Sequence, residues 1–203
     1  MSPQRFCHAL SHRVRKRGLA SLPNRSGAAP TLSSLKAEFG CINGGHEASE
    51  TTLRTLYAWH SAVHEVAAGT GDGRAHLEGV VAADAIFRPP TYFTPWKGRE
   101  EMLTILECVG AVFGPEFKYG RQWLSDDGKD WALEFTAPVP EVKGKKMLLE
   151  GIDLVKLDDA GMIVDFAVLA RPPNAVTSLK DAMMMKAGPK LAALKLKQTF
   201  GMA

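Results

Sequence analysis

The sequence has few cysteines and no long apolar run, and both shortages exclude classes of protein. Its three cysteines, Cys7, Cys41 and Cys108, show neither C-x-x-C spacing nor an even count, so we expect neither a disulfide framework nor a zinc module. No apolar run approaches the ~20 residues that a membrane-spanning helix needs, and no secretory signal follows Met1. The sequence therefore predicts a soluble protein with no membrane partner.

The chain also lacks the motifs that bind common cofactors. It contains no glycine-rich phosphate loop, no H-E-x-x-H zinc motif and no G-x-S-x-G nucleophile elbow. His60 and His64 have the i, i+4 spacing of two zinc ligands on a helix, but Glu65 follows the second histidine and no third ligand is evident. We therefore expect no metal and no cofactor. His60 is expected in the core or in a pocket wall, with proton transfer as its next alternative.

Acidic residues are absent from the first 37 positions, whereas seven arginines and lysines lie there. Because the whole chain has a net charge of +3, the remainder is mildly acidic at −4, which argues against a nucleic-acid partner. Residues 1–50 lack a sustained apolar period, and we predict a disordered basic leader. The alternatives for it are an organellar transit peptide, a basic tail or an upstream start codon. The expected location is the cytoplasm, or a mitochondrion or plastid if the leader is a transit peptide.

Hydrophobic periodicity predicts four helices and five strands. The two long helices have apolar residues at the i, i+3, i+4, i+7 spacing, whereas strands alternate apolar and polar residues. In chain order the predicted elements are helices over 51–68 and 76–81, a strand over 85–88, a helix over 98–113, strands over 117–124, 131–137, 147–157 and 162–170, and a helix over 174–187. This order, in which helices come first and a run of antiparallel strands comes later, predicts an α+β fold with helices packed on one face of a curved antiparallel sheet.

Three segments of the sequence resemble those of a known superfamily. FRPPTYFTPWKGREEM, WALEFTA and EGIDLVKLDDAGMIVDF followed by ARPPNA, in this order of elements, resemble nuclear transport factor 2-like proteins, and among them the SnoaL-like members. The resemblance covers residues 51–187 and leaves 188–203 as a basic C-terminal tail. It implies a cone-shaped domain in which the curved antiparallel sheet wraps around the long first helix. It also implies an apolar pocket at the open end of the cone and a homodimer formed through the outer face of the sheet.

The resemblance also bears on function. Members of the superfamily include ketosteroid isomerases, scytalone dehydratase, limonene epoxide hydrolase and polyketide cyclases, besides many non-catalytic modules. It therefore implies a small hydrophobic organic ligand and, without a cofactor motif, a proton-transfer enzyme of the isomerase, dehydratase or cyclase type. The alternative is a non-catalytic ligand-binding or assembly module of the same fold.

An aspartate in a strand interior is the best candidate for catalysis. Asp153 lies in the middle of the predicted strand 147–157, where aspartate is disfavoured. It shares a face with the more uniformly apolar residues, so we expect it to point into the pocket. Arg121 is the best cation to orient it, and a tyrosine or His60 would be the acid. The alternative is a buried Asp-Arg or Asp-Tyr pair that only fixes the sheet.

Aromatic residues are expected to bind the ligand. The loop over 91–97 would lie near the mouth of the cone by resemblance, either as a wall for a flat apolar ligand or as a plug of the barrel end. The prolines of this region favour a preformed wall over a mobile lid. The predicted ligand-binding residues are Tyr57, Phe87, Tyr92, Phe93, Trp96, Tyr119, Trp123 and Phe135.

Overall fold

The first helix begins and ends at residues suited to capping. In the computed structural model, which describes residues 49–70, 73–142 and 144–200, helix α1 spans Glu50–Ala68. The side chain of Ser49 caps it by accepting a hydrogen bond from the backbone N–H of Thr52. Gly69 ends it with a positive φ of 68°, which glycine adopts without strain. All of the predicted leader except residues 49 and 50 lies outside the described residues.

The segment after α1 enters the sheet earlier than the sequence predicts. Helix α2 spans Gly73–Glu78 and strand β1 spans Val81–Arg88, so residue 81 begins a strand instead of ending a helix. This residue is paired with Ile163 of the neighbouring strand, and the pairing fixes its extended backbone. Within the aromatic loop, Trp96–Lys97 forms a short strand, β2, that is antiparallel to β1.

Four further strands complete a curved, open sheet after helix α3, which spans Arg99–Phe113. These strands are β3 Lys118–Leu124, β4 Asp130–Val142, β5 Lys145–Leu157 and β6 Ile163–Arg171. The strand order is β2-β1-β6-β5-β4-β3. Strand β2 pairs antiparallel with β1, and each of the consecutive strands β3 to β6 pairs antiparallel with the next. Strand β1 runs parallel to β6. The predicted antiparallel sheet is thus corrected at one pair of strands.

The last helix is longer than predicted. Helix α4 spans Pro173–Phe200 and contains Pro189, a residue that suggests a helix end because it lacks the backbone N–H. The helix continues because its later turns are packed, and the side chains of Ala187 and Leu191 are buried in the core. The segment 188–203, expected to be a separate tail, is therefore helical as far as residue 200.

The helices pack on the inner face of the sheet and enclose the core. The predicted α+β class and the curved sheet around the long first helix are confirmed. One apolar cluster joins Trp59 of α1, Met102 of α3, Phe135 of β4 and Leu191 of α4. In the described part of the chain, no helix has the length and apolar character needed to cross a bilayer.

Candidate functional site

A cavity of about 390 Å³ lies between the helices and the inner face of the sheet. The four α-helices and six strands that the structure describes all contribute side chains to its wall, and most of these side chains are aliphatic or aromatic. The charged residues of the wall, within the described chain, are Asp153 on β5 and Lys195 on α4. The volume falls in the range of about 300–1,000 Å³ that is typical of small-molecule sites.

Asp153 is the acidic side chain of this cavity. It lies on the inner face of β5, where Leu149, Val155 and Leu157 are also buried. Asp153 is 5% exposed, and its carboxylate accepts a hydrogen bond of 2.8 Å from the Tyr119 hydroxyl. Burial raises the pKa of Asp153 to about 7, against the smaller lowering effect of the Tyr119 hydrogen bond. This carboxyl group therefore exchanges protons near neutral pH.

Tyr119 connects Asp153 to the first helix. Its hydroxyl accepts a hydrogen bond of 2.8 Å from the indole N–H of Trp59 and donates its own proton to Asp153. All three side chains are buried. Burial, together with the negative charge of Asp153, holds the pKa of Tyr119 well above its usual range, so Tyr119 keeps its proton. The result is a directed chain of hydrogen bonds that ends at the Asp153 carboxylate.

His60 lies behind Tyr119 and is not a residue of the cavity wall. Its Nε2 is 2.9 Å from Oε1 of Gln122, and its ring meets that of Tyr119 edge-on, with 4.9 Å between the ring centres. Burial lowers the pKa of His60 to about 4, so the ring is neutral at physiological pH. His64 is exposed, and no cluster of three or more potential metal ligands is found in the described residues.

The structure does not pair Arg121 with Asp153. The Arg121 side chain is 73% exposed and forms a salt bridge of 2.6 Å with Glu134 on the outer face of the sheet. The reason is a bulge in β3: Tyr119 is paired with Phe135, but Gln122 is paired with Leu133. Because the bulge adds one residue, it reverses the alternation of side chains after Tyr119. The predicted role of Arg121 as the orienting charge is therefore wrong, and the polar partner of Asp153 is a tyrosine.

Five of the eight predicted aromatic residues lie in the cavity wall, namely Phe87, Tyr92, Trp96, Tyr119 and Phe135. Phe93 is fully exposed on the loop, and neither Tyr57 nor Trp123 belongs to the wall. Tyr57 lies two positions before Trp59, and residues two apart point to different sides of a helix. Trp123 follows the β3 bulge and packs under the guanidinium of Arg121, 5.1 Å from it.

The cavity wall also contains residues that are not among the candidates predicted from the sequence. Trp59 is one of them, although its position three residues after Leu56 places it on the apolar side of α1. The others with most consequence are on α4, where Leu179, Leu191 and Lys195 line the cavity. Periodicity could have identified Leu179 within the predicted helix 174–187, but Leu191 and Lys195 only if α4 had been extended through Pro189.

The aromatic loop and α4 form one continuous part of the wall. The Tyr92 hydroxyl donates a hydrogen bond of 2.8 Å to the sulfur of Met184. Two lysines of α4 lie over aromatic rings of the loop: Lys180 Nζ is 5.5 Å from the ring centre of Tyr92, and Lys195 Nζ is 4.9 Å from that of Trp96. These contacts hold the loop against the helix.

Comparison with known proteins identifies relatives among solved structures. No model of a protein family matches the sequence, and no curated protein matches it. An uncharacterized protein with a cystatin-like fold from Silicibacter pomeroyi is 34% identical, with a TM-score of 0.60 over 71% of this chain and 92% of that one. A steroid delta-isomerase from Pseudomonas aeruginosa is 32% identical, with a TM-score of 0.60 over 73% of this chain and 99% of that one. A proposed SnoaL-like polyketide cyclase from Jannaschia is 10% identical over 66% of this chain and 97% of that one; its TM-score of 0.53 reflects a shared fold alone.

Proposed function

Since this chain belongs to the nuclear transport factor 2-like superfamily, with the SnoaL-like proteins, we propose that its cavity binds a small apolar organic molecule and catalyses proton transfer without a cofactor. The reaction would be of the isomerase, dehydratase or cyclase type. The observation that carries the proposal is the buried Asp153 carboxylate, which faces an otherwise mostly apolar cavity and has a pKa of about 7.

In this proposal Asp153 is the general base. A carboxylate whose pKa lies near the working pH balances the fraction ionised against the driving force for proton transfer. For a β,γ-unsaturated ketone, Asp153 would take a proton from the carbon between the carbonyl and the double bond, and the C–H electron pair would move into a dienolate. The protonated Asp153 would return that proton to the γ carbon of the dienolate, which restores the carbonyl and leaves the double bond conjugated with it. The net reaction moves a double bond and needs no other reactant.

Tyr119 supports this role by its position. Its hydroxyl donates to the Asp153 carboxylate and belongs to the same cavity wall. When Asp153 takes up a proton, its carboxyl becomes a weaker acceptor, so the Tyr119 proton can be shared with a developing enolate oxygen instead. The indole N–H of Trp59 stays bound to the Tyr119 oxygen and keeps the hydroxyl oriented.

The test is isomerisation of a β,γ-unsaturated steroidal ketone, followed by the ultraviolet absorbance of the conjugated product. This ligand class is chosen because a relative that is 32% identical is a steroid delta-isomerase. We expect Asp153→Asn to lower kcat by about 100-fold or more, the usual contribution of a general base. The matched control is Asp181→Asn, which changes an exposed aspartate of α4. An unchanged kcat in Asp153→Asn would refute the role of Asp153.

The pH profile gives a second, independent test. Because the ionised form of Asp153 is the base, and its pKa in the folded protein is about 7, kcat/KM should rise with pH and level off above about pH 7. A profile that falls over this range would contradict the assignment.

A non-catalytic ligand-binding or assembly module is the second candidate. It is favoured by the hydrogen bonds that run from Trp59 through Tyr119 to Asp153, because a hydrogen-bond network of this kind can stabilise a buried acid that takes part in no reaction. If the steroidal ketone binds but is not converted, and no hydrogen–deuterium exchange occurs at its enolisable carbon, this second candidate is the correct one.

A further inference from the structure

The two charged residues of the cavity wall have opposite signs and different depths. Asp153 is buried, whereas Lys195 lies on α4 and is exposed. The rest of the wall described by the structure is uncharged, and its polar groups are few. A ligand in this cavity would therefore meet a carboxylate at its inner end and an ammonium group at the rim.

Lys195 is held at the rim by an aromatic ring. Its ammonium nitrogen lies 4.9 Å from the ring centre of Trp96, and both residues belong to the cavity wall. This cation–π contact positions the ammonium group, but the ring does not take the place of a hydrogen-bond acceptor for its N–H groups. Within the described residues, Lys195 forms no salt bridge with an acidic side chain. The N–H donors of this lysine are thus open to an anion in the mouth of the cavity.

We propose that Lys195 binds the carboxylate of an amphipathic ligand whose apolar body fills the cavity. This inference rests on the proposed function and specifies its ligand class as apolar organic acids. The charges also set the orientation: ionised Asp153 repels a second carboxylate at the inner end, whereas Lys195 attracts it at the rim. The uncharged end of the ligand is then placed beside Asp153 and Tyr119, where the proposed proton transfer takes place.

The experiment compares two ligands that differ only in the charged group. Binding of decanoate and of 1-decanol is measured by isothermal titration calorimetry at pH 8 for the full chain and for Lys195→Gln. The matched control is Lys180→Gln, because Lys180 is on the same helix and packs over Tyr92 in the same way, but does not line the cavity. Loss of general positive charge affects both variants equally, whereas loss of a specific anchor affects one.

We expect Lys195→Gln to weaken decanoate binding by about tenfold, in line with a charge-assisted hydrogen bond that is partly open to solvent. The affinity for 1-decanol should change by less than about twofold, and Lys180→Gln should leave both affinities within this margin. The 1-decanol affinity also reports on the cavity itself. An unchanged affinity means that Lys195→Gln leaves the cavity intact, and a lower one means that the substitution has disturbed it.

The remaining outcomes overturn the inference in distinguishable ways. If decanoate and 1-decanol bind equally and Lys195→Gln changes neither, the anchor is absent while the ligand cavity stands. If both lysine variants weaken decanoate to the same extent, the effect is general electrostatics and not a site at Lys195. If neither compound binds to the unaltered protein, the inference fails, and binding and conversion of the steroidal ketone decide the proposed function separately.

Discussion

At the scale of single residues, Asp153 should reduce stability whenever it is ionised. In the unfolded chain it loses its proton near its ordinary pKa of 3.8, but in the folded protein it does so at about 7. Between these values the folded state binds more protons than the unfolded state, so the free energy of unfolding falls as pH rises. The stability that the protonated group contributes is fully present below about pH 3.8 and is lost as pH rises through 7.

We therefore predict that Asp153→Asn stabilises the protein more at pH 8 than at pH 5. The gain in the free energy of unfolding over the unaltered chain should be larger at pH 8 by roughly 2 kcal/mol, since each pKa unit corresponds to about 1.4 kcal/mol. Urea unfolding at the two pH values measures it. Combined with a lost kcat, this gain would show that Asp153 is kept for function at a cost in stability.

His60 acts in the opposite direction but does not obscure this result. Its folded pKa of about 4 lies below its ordinary 6.5, so its contribution to stability is present above pH 6.5 and is lost as pH falls through 4. His60 is the same in both proteins and cancels in the difference between them. If Asp153→Asn gave an equal change at both pH values, Asp153 would not be ionising within this range.

Alternation along a strand was sufficient to place one site residue but not the other. Asp153 is in a regular part of β5, where a period of two correctly predicts that it faces inward with Leu149 and Val155. Arg121 lies within the β3 bulge, and nothing in its local sequence marks the extra residue. Tyr119 lies before the bulge, and regular alternation would place Tyr119 and Arg121 on one face, so the partner of Asp153 could be limited to an arginine or a tyrosine but not chosen.

At the scale of elements, the contact between α1 and α3 depends on a missing side chain. A Cβ atom at Gly110 of α3 would lie 2.4 Å from Cγ1 of Val66 on α1. We predict that Gly110→Ala destabilises the protein by roughly 1–3 kcal/mol, the usual cost of overpacking, although alanine favours helix more than glycine. In a Val66→Ala background the cost should fall below about 1 kcal/mol, because the clashing methyl group is gone. A double-mutant cycle by urea unfolding measures this coupling.

Gly188 of α4 provides the control for helix propensity. A Cβ atom there has no neighbour within 4 Å outside the backbone of its own helix, so Gly188→Ala should stabilise by up to about 1 kcal/mol. The two substitutions are chemically the same and should have opposite signs. Equal signs, or no rescue of Gly110→Ala by Val66→Ala, would mean that α1 and α3 are not in close contact at this point.

The length of α4 shows where local signals mislead. Pro189 correctly indicates a lost backbone hydrogen bond, and from this signal alone the helix should stop near residue 187. The buried side chains of Ala187 and Leu191 on both sides of the proline contribute tertiary packing that outweighs the local defect. Such packing depends on the sheet and on α3, which are distant in sequence, so Leu191 and Lys195, the cavity residues that follow Pro189, could not be predicted locally.

At the scale of the whole molecule, the order of elements was informative but incomplete. Helices followed by a run of hairpins correctly predicts the α+β class, and the hairpin turns fix the neighbours of β4 and β5. The pairing of β1 with β6 is different, because 74 residues lie between the end of β1 at Arg88 and the start of β6 at Ile163. No turn connects these strands, so their parallel orientation is set by packing of the whole domain.

The outer face of the sheet is the surface through which we propose that two copies associate. Leu154 is 40% exposed and Leu169 is 60% exposed on this face. They lie close together, because Leu154 pairs with Ala167 while Leu169 pairs with Ile152 on the same two strands. An apolar patch at the centre of a sheet is suited to a twofold interface, in which each copy presents the same residues. A stable dimer would need about 800 Å² from each subunit.

We predict that the unaltered chain sediments at twice its mass of 22.0 kDa and that the variant with both Leu154→Glu and Leu169→Glu sediments as a monomer. Each charge would be buried without a partner in the interface, which is strongly destabilising. The control, Met185→Glu, alters an apolar side chain that is 78% exposed on α4 and should leave the dimer intact. Because alternate residues of β5 point to opposite faces, the monomeric variant should keep its cavity and its affinity for 1-decanol. A monomeric unaltered chain, or a dimer that survives both glutamates, would show that this face is not the interface.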